Sequence, residues 1–489
     1  MSMWLRIIGL AAGFPMASAA AGPPPVQVRE DFTGDPGWEA RGHVPPASAC
    51  VTKTMDFGYS PTAHAGGSPG EIGGCVWRSL TPACYARRIP LRTLNDRLRA
   101  SGRFSVTRST SSSGVMIGWF HSASRGWRTP NSLVFRIDGE QDRFRVFFEY
   151  GTQTWKTGGG TTFEGPYQTT KTPMIPADGR PHTWALEFDP AGAGGDGLIT
   201  FTMDGQVYTA AMVKGHRAEG AVFDRFGILN VQNSGNNLTV WLDDLQIDGE
   251  REDFATDPKW DEAGSRSTFN DCAIRPWHDF GWRDSALAGG EPGEIGGLVW
   301  RIEATRPQEA LAYGTPAGEL SLDRELKASG RICLKAAGAD SAILFGWYNA
   351  RTPIGAPPVN FTGLLVEGPS EVGHYIRPVM RSADETSLVV PRGPIIRPDG
   401  RPHTWTIHYL PGPKGRPGTV TATLDDATVS ADVPPQLIAG GAALDRFGFL
   451  SWHRGGHAIE AYFDDLEYTA QGSGDPREAA GRKDSACIR

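Results

Sequence analysis

Apolar and polar residues alternate in short runs along most of the chain, and the spacing typical of helices is scarce. Residues 114–119, 133–137 and 144–150 each place apolar side chains on one face of an extended strand. Residues 198–203 run directly into Asp204-Gly205, a pair that favours a tight hairpin. Many short strands separated by turn signals predict an all-β fold of packed antiparallel sheets.

Most motifs of the chain occur twice, about 220 residues apart. The repeated motifs include Arg29-Glu30-Asp31-Phe32 with Arg251-Glu252-Asp253-Phe254, Pro69 to Gly74 with Pro292 to Gly297, Asp178 to Trp184 with Asp399 to Trp405, and Asp224 to Gly227 with Asp445 to Gly448. This period is too long for a solenoid or a propeller blade, so each copy must fold around its own core. We predict two tandem domains, 26–250 and 251–470, with a signal peptide at 1–21 and a C-terminal tail at 471–489.

Charge and hydropathy narrow the class of protein. The 489 residues carry a formal net charge of -7 with dispersed basic residues, which argues against a nucleic-acid partner. Residues 1–21 combine a basic residue, a short apolar stretch and Ala17-Ser18-Ala19, the pattern of a cleaved secretory signal. No other apolar run is long enough to cross a bilayer. We expect a secreted, periplasmic or cell-surface protein without a membrane span.

Six cysteines in an exported chain indicate disulfides, and six allow 15 pairings. Cys75 and Cys84 are close in sequence and peculiar to the first copy, which makes them a candidate pair. Cys50 and Cys272 occupy roughly equivalent positions of the two copies, whereas Cys333 and Cys487 are unmatched. Buried free thiols are the alternative.

Several of the repeated motifs resemble the concanavalin A-like lectin/glucanase superfamily, of the laminin G-like kind. They are an acidic pair before Phe in the first strand, the Asp-Gly-Arg-Pro-His-Thr-Trp segment, an Asp-Gly hairpin and a last strand ending in Asp-Asp-Leu. The resemblance covers both copies and implies two tandem antiparallel β-sandwich domains of jelly-roll type. That fold hosts lectins, hydrolases, lyases and adhesive modules, so it does not fix the activity.

The resemblance also implies a structural calcium ion between the first and last strands of each domain. The matching acidic residues are Glu30, Asp31 and Asp244 in the first copy and Glu252, Asp253 and Asp465 in the second. Calcium takes six to eight oxygen ligands, which carboxylates and backbone carbonyls of adjoining strands supply. Alternatively, these acids are solvated or pair with arginines such as Arg29 and Arg251.

Glu71 and Glu294 stand in the same Gly-rich motif of the two copies. Glycine on both sides lets a ligand or a second backbone come close. Arg78 and Arg301 follow seven residues later, near enough to orient a bound carboxylate. The alternative is a tight turn held by a structural salt bridge.

The first copy carries a distinct set of aromatic and polar residues that suits a sugar. Alternation points Arg136 and Glu149 away from the apolar face, and tryptophan rings pack on sugar C–H faces while polar groups bind hydroxyls. The set comprises Trp119, His121, Trp127, Asn131, Arg136, Glu149 and Trp155. The second copy keeps Trp347, has Asn349 for His121 and places Arg381 at the position of Glu149.

These patterns lead to three functional hypotheses. The first is an exported polysaccharide-binding protein that uses the concave sheet face of one or both domains. The second is a glycan-cleaving enzyme, a glycoside hydrolase or polysaccharide lyase, with Glu149 or Glu71 acting with His121; the Glu-x-Asp-x-x-Glu motif of the superfamily's hydrolases does not occur. The third is a structural cell-surface or adhesion module.

Overall fold

A computed structural model of the protein describes residues 25–42, 50–127, 129–161, 174–275, 277–338, 340–368 and 373–472. The predicted signal peptide, Cys487 and nearly all of the predicted tail lie outside the described residues. Almost all regular structure in the described part is β-strand, as alternation predicts. Two short helices, α1 (His216–Glu219) and α2 (Pro435–Gly440), and two 3₁₀ turns at Ala193–Gly195 and Pro307–Glu309 complete it.

The strands of the first half of the chain are β1 (Pro25–Glu30), β2 (Glu39–Arg41), β3 (Val51–Ser60), β4 (Glu71–Trp77), β5 (Cys84–Thr93), β6 (Leu98–Ser109), β7 (Ser113–Phe120), β8 (Ser132–Glu140), β9 (Arg143–Gly151), β10 (Thr157–Thr161), β11 (Ile175–Pro176), β12 (His182–Asp189), β13 (Leu198–Met203), β14 (Gln206–Ala211), β15 (Val222–Asn230) and β16 (Asn237–Ile247).

The strands of the second half are β17 (Glu250–Glu252), β18 (Asp261–Ala263), β19 (Arg266–Asp271), β20 (Asp279–Arg283), β21 (Glu294–Trp300), β22 (Ala312–Leu320), β23 (Leu326–Ala337), β24 (Ala342–Tyr348), β25 (Phe361–Glu367), β26 (His374–Arg381), β27 (Ser387–Val389), β28 (Ile395–Ile396), β29 (Pro402–Leu410), β30 (Gly418–Leu424), β31 (Ala427–Val433), β32 (Leu444–Ser451) and β33 (Ala458–Gln471).

These strands form four antiparallel sheets that pack in pairs. The first sandwich joins the sheet β14-β13-β12-β6-β16-β4-β3-β19 to the sheet β10-β9-β8-β7-β15-β5-β18, and one apolar core fills the space between them. The second sandwich joins β20-β21-β33-β23-β29-β30-β31 to β2-β22-β32-β24-β25-β26-β27 around a second core. The predicted fold class, all-β with two antiparallel sandwiches, is confirmed.

The boundary between the sandwiches differs from the boundary between the sequence copies. Strand β1, at the start of the described chain, pairs along its whole length with the end of β33, from Pro25 against Gln471 to Glu30 against Leu466. Strand β2 pairs with β22. Residues 25–42, which we call the first arm, therefore complete the second sandwich.

The start of the second copy makes the reciprocal exchange. Strand β17 pairs with β16, β18 with β5 and β19 with β3. Residues 250–271, the second arm, therefore complete the first sandwich. The hydrogen-bonded units are 50–271 and 279–472 with 25–42, and each copy, 26–250 or 251–470, supplies its first strands to the other.

Each arm is anchored by a buried Phe and a Trp. Phe32 and Trp38 belong to the core of the second sandwich, and Phe254 and Trp260 to that of the first. The glycine that precedes Glu294 fits against the first arm, because a Cβ on Gly293 would lie 2.0 Å from the carbonyl oxygen of Phe32. Gly70 stands in the same relation to Phe254, so the repeated glycine accommodates a second backbone.

The start of β3 and the end of the second arm, which pair in the first sandwich, are also joined by the disulfide Cys50–Cys272, between roughly equivalent positions of the two copies. Next to it Lys53 and Asp271 form a buried ion pair. Cys75 and Cys84, the pair that sequence proximity suggested, are both free thiols, as is Cys333. The suggested Cys75–Cys84 disulfide is thus wrong, because Cys75 lies on β4 and Cys84 on β5, in different sheets.

Apolar contacts also bridge the two sandwiches directly. Leu80 of the first sandwich and Ala273 of the connecting segment pack against a buried cluster that contains Leu298 and Trp300 of the second. Among the described residues, no helix has the length and apolar character needed to span a bilayer.

Candidate functional site

A cleft of about 330 Å³ opens between the two sandwiches beside the β8–β9 hairpin. The first sandwich contributes most of its wall and the second contributes two side chains. The lining residues are Arg78, Ser112, Trp127, Arg136, Asp138, Gly139, Glu140, Arg145, Phe147, Asp340 and His457. Three of the residues that the sequence marked as candidate ligand contacts, Arg78, Trp127 and Arg136, meet here.

The floor of the cleft is a network of arginines and carboxylates. Arg136 of β8 and Glu149 of β9 share the sheet face opposite the core, as alternation predicts, and Arg136 Nη1 lies 3.5 Å from Glu149 Oε1. Arg136 Nε lies 3.4 Å from Asp138 Oδ1, and Arg78 Nη2 donates to the same oxygen at 2.6 Å. Arg136 and Glu149 are only 2% and 3% exposed, so the network is held rigidly against the sheet.

Two aromatic side chains stand beside this network. The guanidinium of Arg136 lies 5.0 Å from the ring centroid of Trp127 and 5.2 Å from that of Phe147. Trp127 is half-buried, so part of its indole faces the cleft. Arginine between two rings is a favourable cation–π arrangement that fixes both the cation and the rings.

The second sandwich closes the opposite side with Asp340 and His457. His457 Nδ1 lies 3.4 Å from Asn233 Nδ2 of the first sandwich, and the backbone N–H of His457 donates to the carbonyl of Asp340 at 3.0 Å. Burial lowers the pKa of His457 below its ordinary value, and the nearby Arg78 adds to the effect. The imidazole is therefore neutral at neutral pH, and the side chain of Asp340 is exposed.

In the described part of the second copy, the position equivalent to the cleft wall is arranged differently. Arg301, the counterpart of Arg78, donates to Glu367 at 3.3 Å, and Arg377 pairs with the same carboxylate. The outer apolar cluster of the second sandwich packs against Ala356, where that of the first packs against Trp127. The aromatic wall is thus particular to the first copy.

One position assigned from the sequence of the second copy needs correction. Glu149 pairs with Val134, and its counterpart by register is Val379, which pairs with Gly363. Arg381 pairs with Phe361 and corresponds to Gly151, so the assignment of Arg381 to the Glu149 position is wrong. A two-residue shift preserves the alternation, which is why the sequence pattern did not reveal it.

Two predicted ligand-binding tryptophans are core residues. Trp119 is fully buried in the first core, edge to face with Phe226 at 5.1 Å. Trp347 is fully buried in the second core, and its Nε1 donates to the carbonyl of Thr469 at 2.8 Å. Both lie on the inward face of their strands and cannot contact a ligand.

The remaining candidate residues make contacts within or between loops. Asn131 Oδ1 accepts the backbone N–H of Val222 at 3.0 Å, and Asn349 Nδ2 donates to the carbonyl of Ala443 at 2.9 Å. His121 Nδ1 accepts the N–H of Ala123 at 3.2 Å within its own turn. The ring of Trp155 lies so close to Gly126 that a Cβ there would come within 2.5 Å of it. None of these four residues lines the cleft.

Glu71 and Glu294 are buried loop anchors. Glu71 is 0% exposed and accepts hydrogen bonds from Thr62 Oγ1, His64 Nδ1 and the backbone N–H groups of His64 and Ala65, at 2.6 to 2.9 Å. Glu294 accepts from the hydroxyl of Ser285 and the N–H groups of Leu287 and Ala288. The turn alternative holds, with backbone amides and hydroxyls as the partners instead of Arg78 and Arg301.

The acidic residues predicted to bind calcium within one copy do not all adjoin one another in the structure. Because the arms are exchanged, Glu30 and Asp31 adjoin the last strand of the second copy, and Glu252 and Asp253 adjoin that of the first. The groups predicted within one copy are therefore wrong. The acids that do adjoin are engaged elsewhere, in the contacts Asp244 with Arg103 and Arg251, Glu252 with Arg87, Asp465 with Arg331, Asp31 with Thr33 and Asp253 with Ala255.

These engagements do not fit a calcium site, which needs converging oxygens. Within the described ranges, no group of three or more His, Cys, Asp or Glu side chains is placed to hold a metal ion.

Tyr150, which follows Glu149 on β9, forms structural hydrogen bonds. Its hydroxyl lies 2.8 Å from His216 Nδ1 and accepts the N–H of Val213 at 3.0 Å. Burial raises its pKa to about 12. A phenol so placed is a poor proton acceptor at neutral pH.

Several cleft residues were not identified from the sequence. Asp138, Phe147 and Arg145 lie on the same strands as Arg136 and Glu149, and continuing the outward alternation from Arg136 would have found Asp138. Asp340 and His457 reach the cleft only through the packing of one sandwich on the other. No spacing within the sequence signals that contact.

Comparisons with known proteins give distant structural likenesses. No protein-family model and no curated protein matches the chain. Among solved structures, domains LG4-5 of the mouse laminin alpha1 chain match at 12% identity with a TM-score of 0.24, over 83% of this chain and 92% of that chain. Peanut lectin matches at 17% identity with a TM-score of 0.25, over 42% and 98% respectively.

A GH43 protein of Bacillus licheniformis matches at 10% identity with a TM-score of 0.24, over 69% of this chain and 72% of that one. Likenesses at this level carry no information on ligand or activity. The fold and the site themselves define an all-β protein of two interlocked antiparallel sandwiches with a polar, aromatic-walled cleft between them.

Proposed function

We propose that the protein binds a saccharide chain in the cleft between its two sandwiches. The observation that carries the proposal is the meeting of Trp127, Arg136 and Arg78, from three separate parts of the first copy, in one cavity. An indole face packs on the C–H face of a sugar ring, while guanidinium and carboxylate groups hydrogen-bond its hydroxyls. The cavity of about 330 Å³ has room for one or two sugar units of a longer chain.

This proposal confines the site to one part of the sheet face expected from the sequence, the part beside the β8–β9 hairpin. On the outer face of the β7–β8 sheet, Met116, Phe120, Val134 and Leu229 form a second buried apolar cluster. The outer face of the matching sheet of the second sandwich is covered in the same way around Leu344 and Trp452. Apolar faces that are already packed offer no surface to a polysaccharide, whereas the cleft does.

Binding without cleavage follows from the state of the acidic side chains. Glycoside hydrolysis needs two carboxylates, one of which holds or accepts a proton beside the scissile bond. Asp138 and Glu149 each face an arginine within 3.5 Å, which restrains both carboxylates. Glu71 and His121, the other candidates, lie outside the cleft lining. We also propose export, in agreement with the disulfide and the expected signal peptide.

A pair of tryptophan variants tests the site. Trp127→Ala removes the proposed platform, and Trp277→Ala, at an exposed tryptophan outside the cleft lining, is the matched control. We expect Trp127→Ala to weaken binding to the best ligand of a polysaccharide panel by about tenfold or more, and Trp277→Ala to leave it unchanged. Affinity gels and titration calorimetry measure both.

Equal affinity of the two variants and the parent protein would contradict the site. Reducing ends and unsaturated-uronate absorbance are read in the same samples, and turnover by the parent protein would contradict binding without cleavage. Binding to cells or to a protein partner, with no retention of any glycan, would instead support the adhesion module.

A further inference from the structure

The charges that line the cleft already compensate one another. Three cations, Arg78, Arg136 and Arg145, face it from the first sandwich. Asp138 contacts the first two, Glu149 contacts Arg136, and Glu140 lies 3.7 Å from Arg145. Each described guanidinium therefore has a carboxylate within 4 Å, and no described cation of the lining is left without an anionic neighbour.

The second sandwich adds negative charge to this balance. Asp340 is exposed at the opposite wall, and the imidazole of His457 brings no compensating positive charge because it is neutral at neutral pH. The described lining itself holds three cations, Arg78, Arg136 and Arg145, and three anions, Asp138, Glu140 and Asp340; behind it, Glu149 faces Arg136, and Arg301 interacts electrostatically with Asp340. A second acid, Glu140, is also exposed at the rim.

This distribution disfavours a carboxylate or sulfate ligand. An acidic sugar would have to displace Asp138 or Glu140 from its arginine, or accept like-charge contact with Asp340, and neither exchange adds a net ion pair. A hydroxyl faces no such conflict, because it accepts from a guanidinium and donates to a carboxylate at once. Arg78 and Arg136 both contact Oδ1 of Asp138, a carboxylate that is partly exposed to the cleft.

We infer that the ligand of the cleft is an uncharged saccharide with adjacent free hydroxyl groups, bound against Trp127 and the Arg–Asp network, and that Glu140 and Asp340 exclude acidic glycans. This inference rests on the proposed function. The second sandwich then contributes to specificity at a site whose other wall comes from the first sandwich. Selective binding therefore needs both sandwiches.

The test compares neutral and acidic oligosaccharides of matched length. The probes are cello-, laminari-, xylo- and manno-oligosaccharides on one side and oligogalacturonate and oligoguluronate on the other. Titration calorimetry is run on the full mature chain at low and at physiological ionic strength. We expect binding of at least one neutral probe with less than about a twofold change with salt, and measurable but about tenfold or more weaker binding of the acidic probes.

A charge variant gives the inference a second readout. Glu140→Gln with Asp340→Asn removes the two exposed acids and changes no buried group, while Glu319→Gln with Asp432→Asn removes two exposed acids elsewhere. We expect the first double variant to gain affinity for the acidic probes, by roughly three- to tenfold over the control pair, and to keep its neutral ligand.

The outcomes separate the inference from the proposed function. Binding of acidic probes by the parent protein, weakened by salt and stronger than any neutral binding, would overturn the inference and leave the saccharide site in place. An unchanged preference in the Glu140→Gln, Asp340→Asn variant would overturn the excluding role of these acids. Absence of binding to every probe would overturn the proposed function and the inference together.

Discussion

At the scale of single residues, the chain buries a second carboxylate next to each of its loop anchors. Asp243 lies beside Glu71, and Asp464 beside Glu294, each almost fully removed from solvent. Burial, with the neighbouring Asp244 and Glu71, raises the pKa of Asp243 to about 6, and Asp464 is raised to about 6 in the same way. Both sandwiches therefore carry an acid that costs stability when it ionises.

The direction of the pH effect follows from linkage. The folded chain holds the Asp243 proton more tightly than the unfolded chain, whose carboxyl has the ordinary value of 3.8. The stabilisation is thus complete below about pH 4 and is lost as the pH rises through 6. The shift of about two pH units corresponds to an upper limit of about 3 kcal/mol for each site.

Asp243→Asn is expected to raise the free energy of unfolding at pH 8 by about 1 to 3 kcal/mol and to change it little at pH 4. The amide keeps the Oδ1 acceptor that the backbone N–H of Asp244 uses, at 2.7 Å, and removes the charge. Urea unfolding at both pH values measures the difference, with the exposed Asp56→Asn as control. A variant that loses stability equally at both pH values would contradict the raised pKa of Asp243, because the effect of the substitution would then be independent of ionisation.

The sequence pattern predicted the environment of some candidate site residues correctly and of others incorrectly. The glycines around Glu71 did indicate a close approach, and the approaching group is the backbone of Phe254. Trp119 and Trp127 were both assigned to a sugar platform, yet one fills the core and the other lines the cleft. Residue type does not distinguish them, because the same indole suits either environment.

At the scale of elements, local pattern predicted strands well and their partners poorly. The alternating runs at 114–119, 133–137 and 144–150 are β7, β8 and β9, and Asp204-Gly205 does turn β13 into β14. These are hairpin neighbours, which turn residues specify locally. The arms pair with strands of the other copy, and a short strand carries no signal for a partner that lies so far along the chain.

Because the arms are exchanged, a substitution in the arm of one copy should destabilise the sandwich that is built mainly from the other copy. Phe32→Ala should destabilise the second sandwich, and Phe254→Ala the first, each by about 3 to 5 kcal/mol, because each ring is buried in the core of the other copy. Hydrogen exchange read by mass spectrometry locates the loss. The variants serve as controls for each other, and faster exchange confined to the copy that holds the substitution would contradict the exchange.

At the scale of the whole molecule, the units that fold differ from the units that repeat. A fragment of residues 50–271 contains every described strand of the first sandwich, including its arm. A fragment cut at the sequence boundary, 26–250, lacks β17 to β19 and carries an arm with no sheet to join. An unpaired strand edge and exposed Phe and Trp side chains favour aggregation.

Expression of fragments tests this organisation. We expect 50–271 to fold alone with a cooperative transition, and 26–250 and 251–472 to be unstable when produced separately but to assemble one to one when produced together. Circular dichroism melts and size-exclusion chromatography give the result, and a gel without reductant should show the assembled pair linked through Cys50 and Cys272. A stable, monomeric 26–250 fragment would refute the interlocked organisation.

The disulfide has one more consequence. Cys50 is bonded to the residue at roughly the equivalent position of the other copy, as expected for a bond that lies near a pseudo-two-fold axis between two units. The arms, which cross reciprocally beside it, obey the same symmetry. One polypeptide therefore has the geometry of a strand-swapped homodimer, with the peptide link at 250–251 as the one covalent feature that such a dimer would not need.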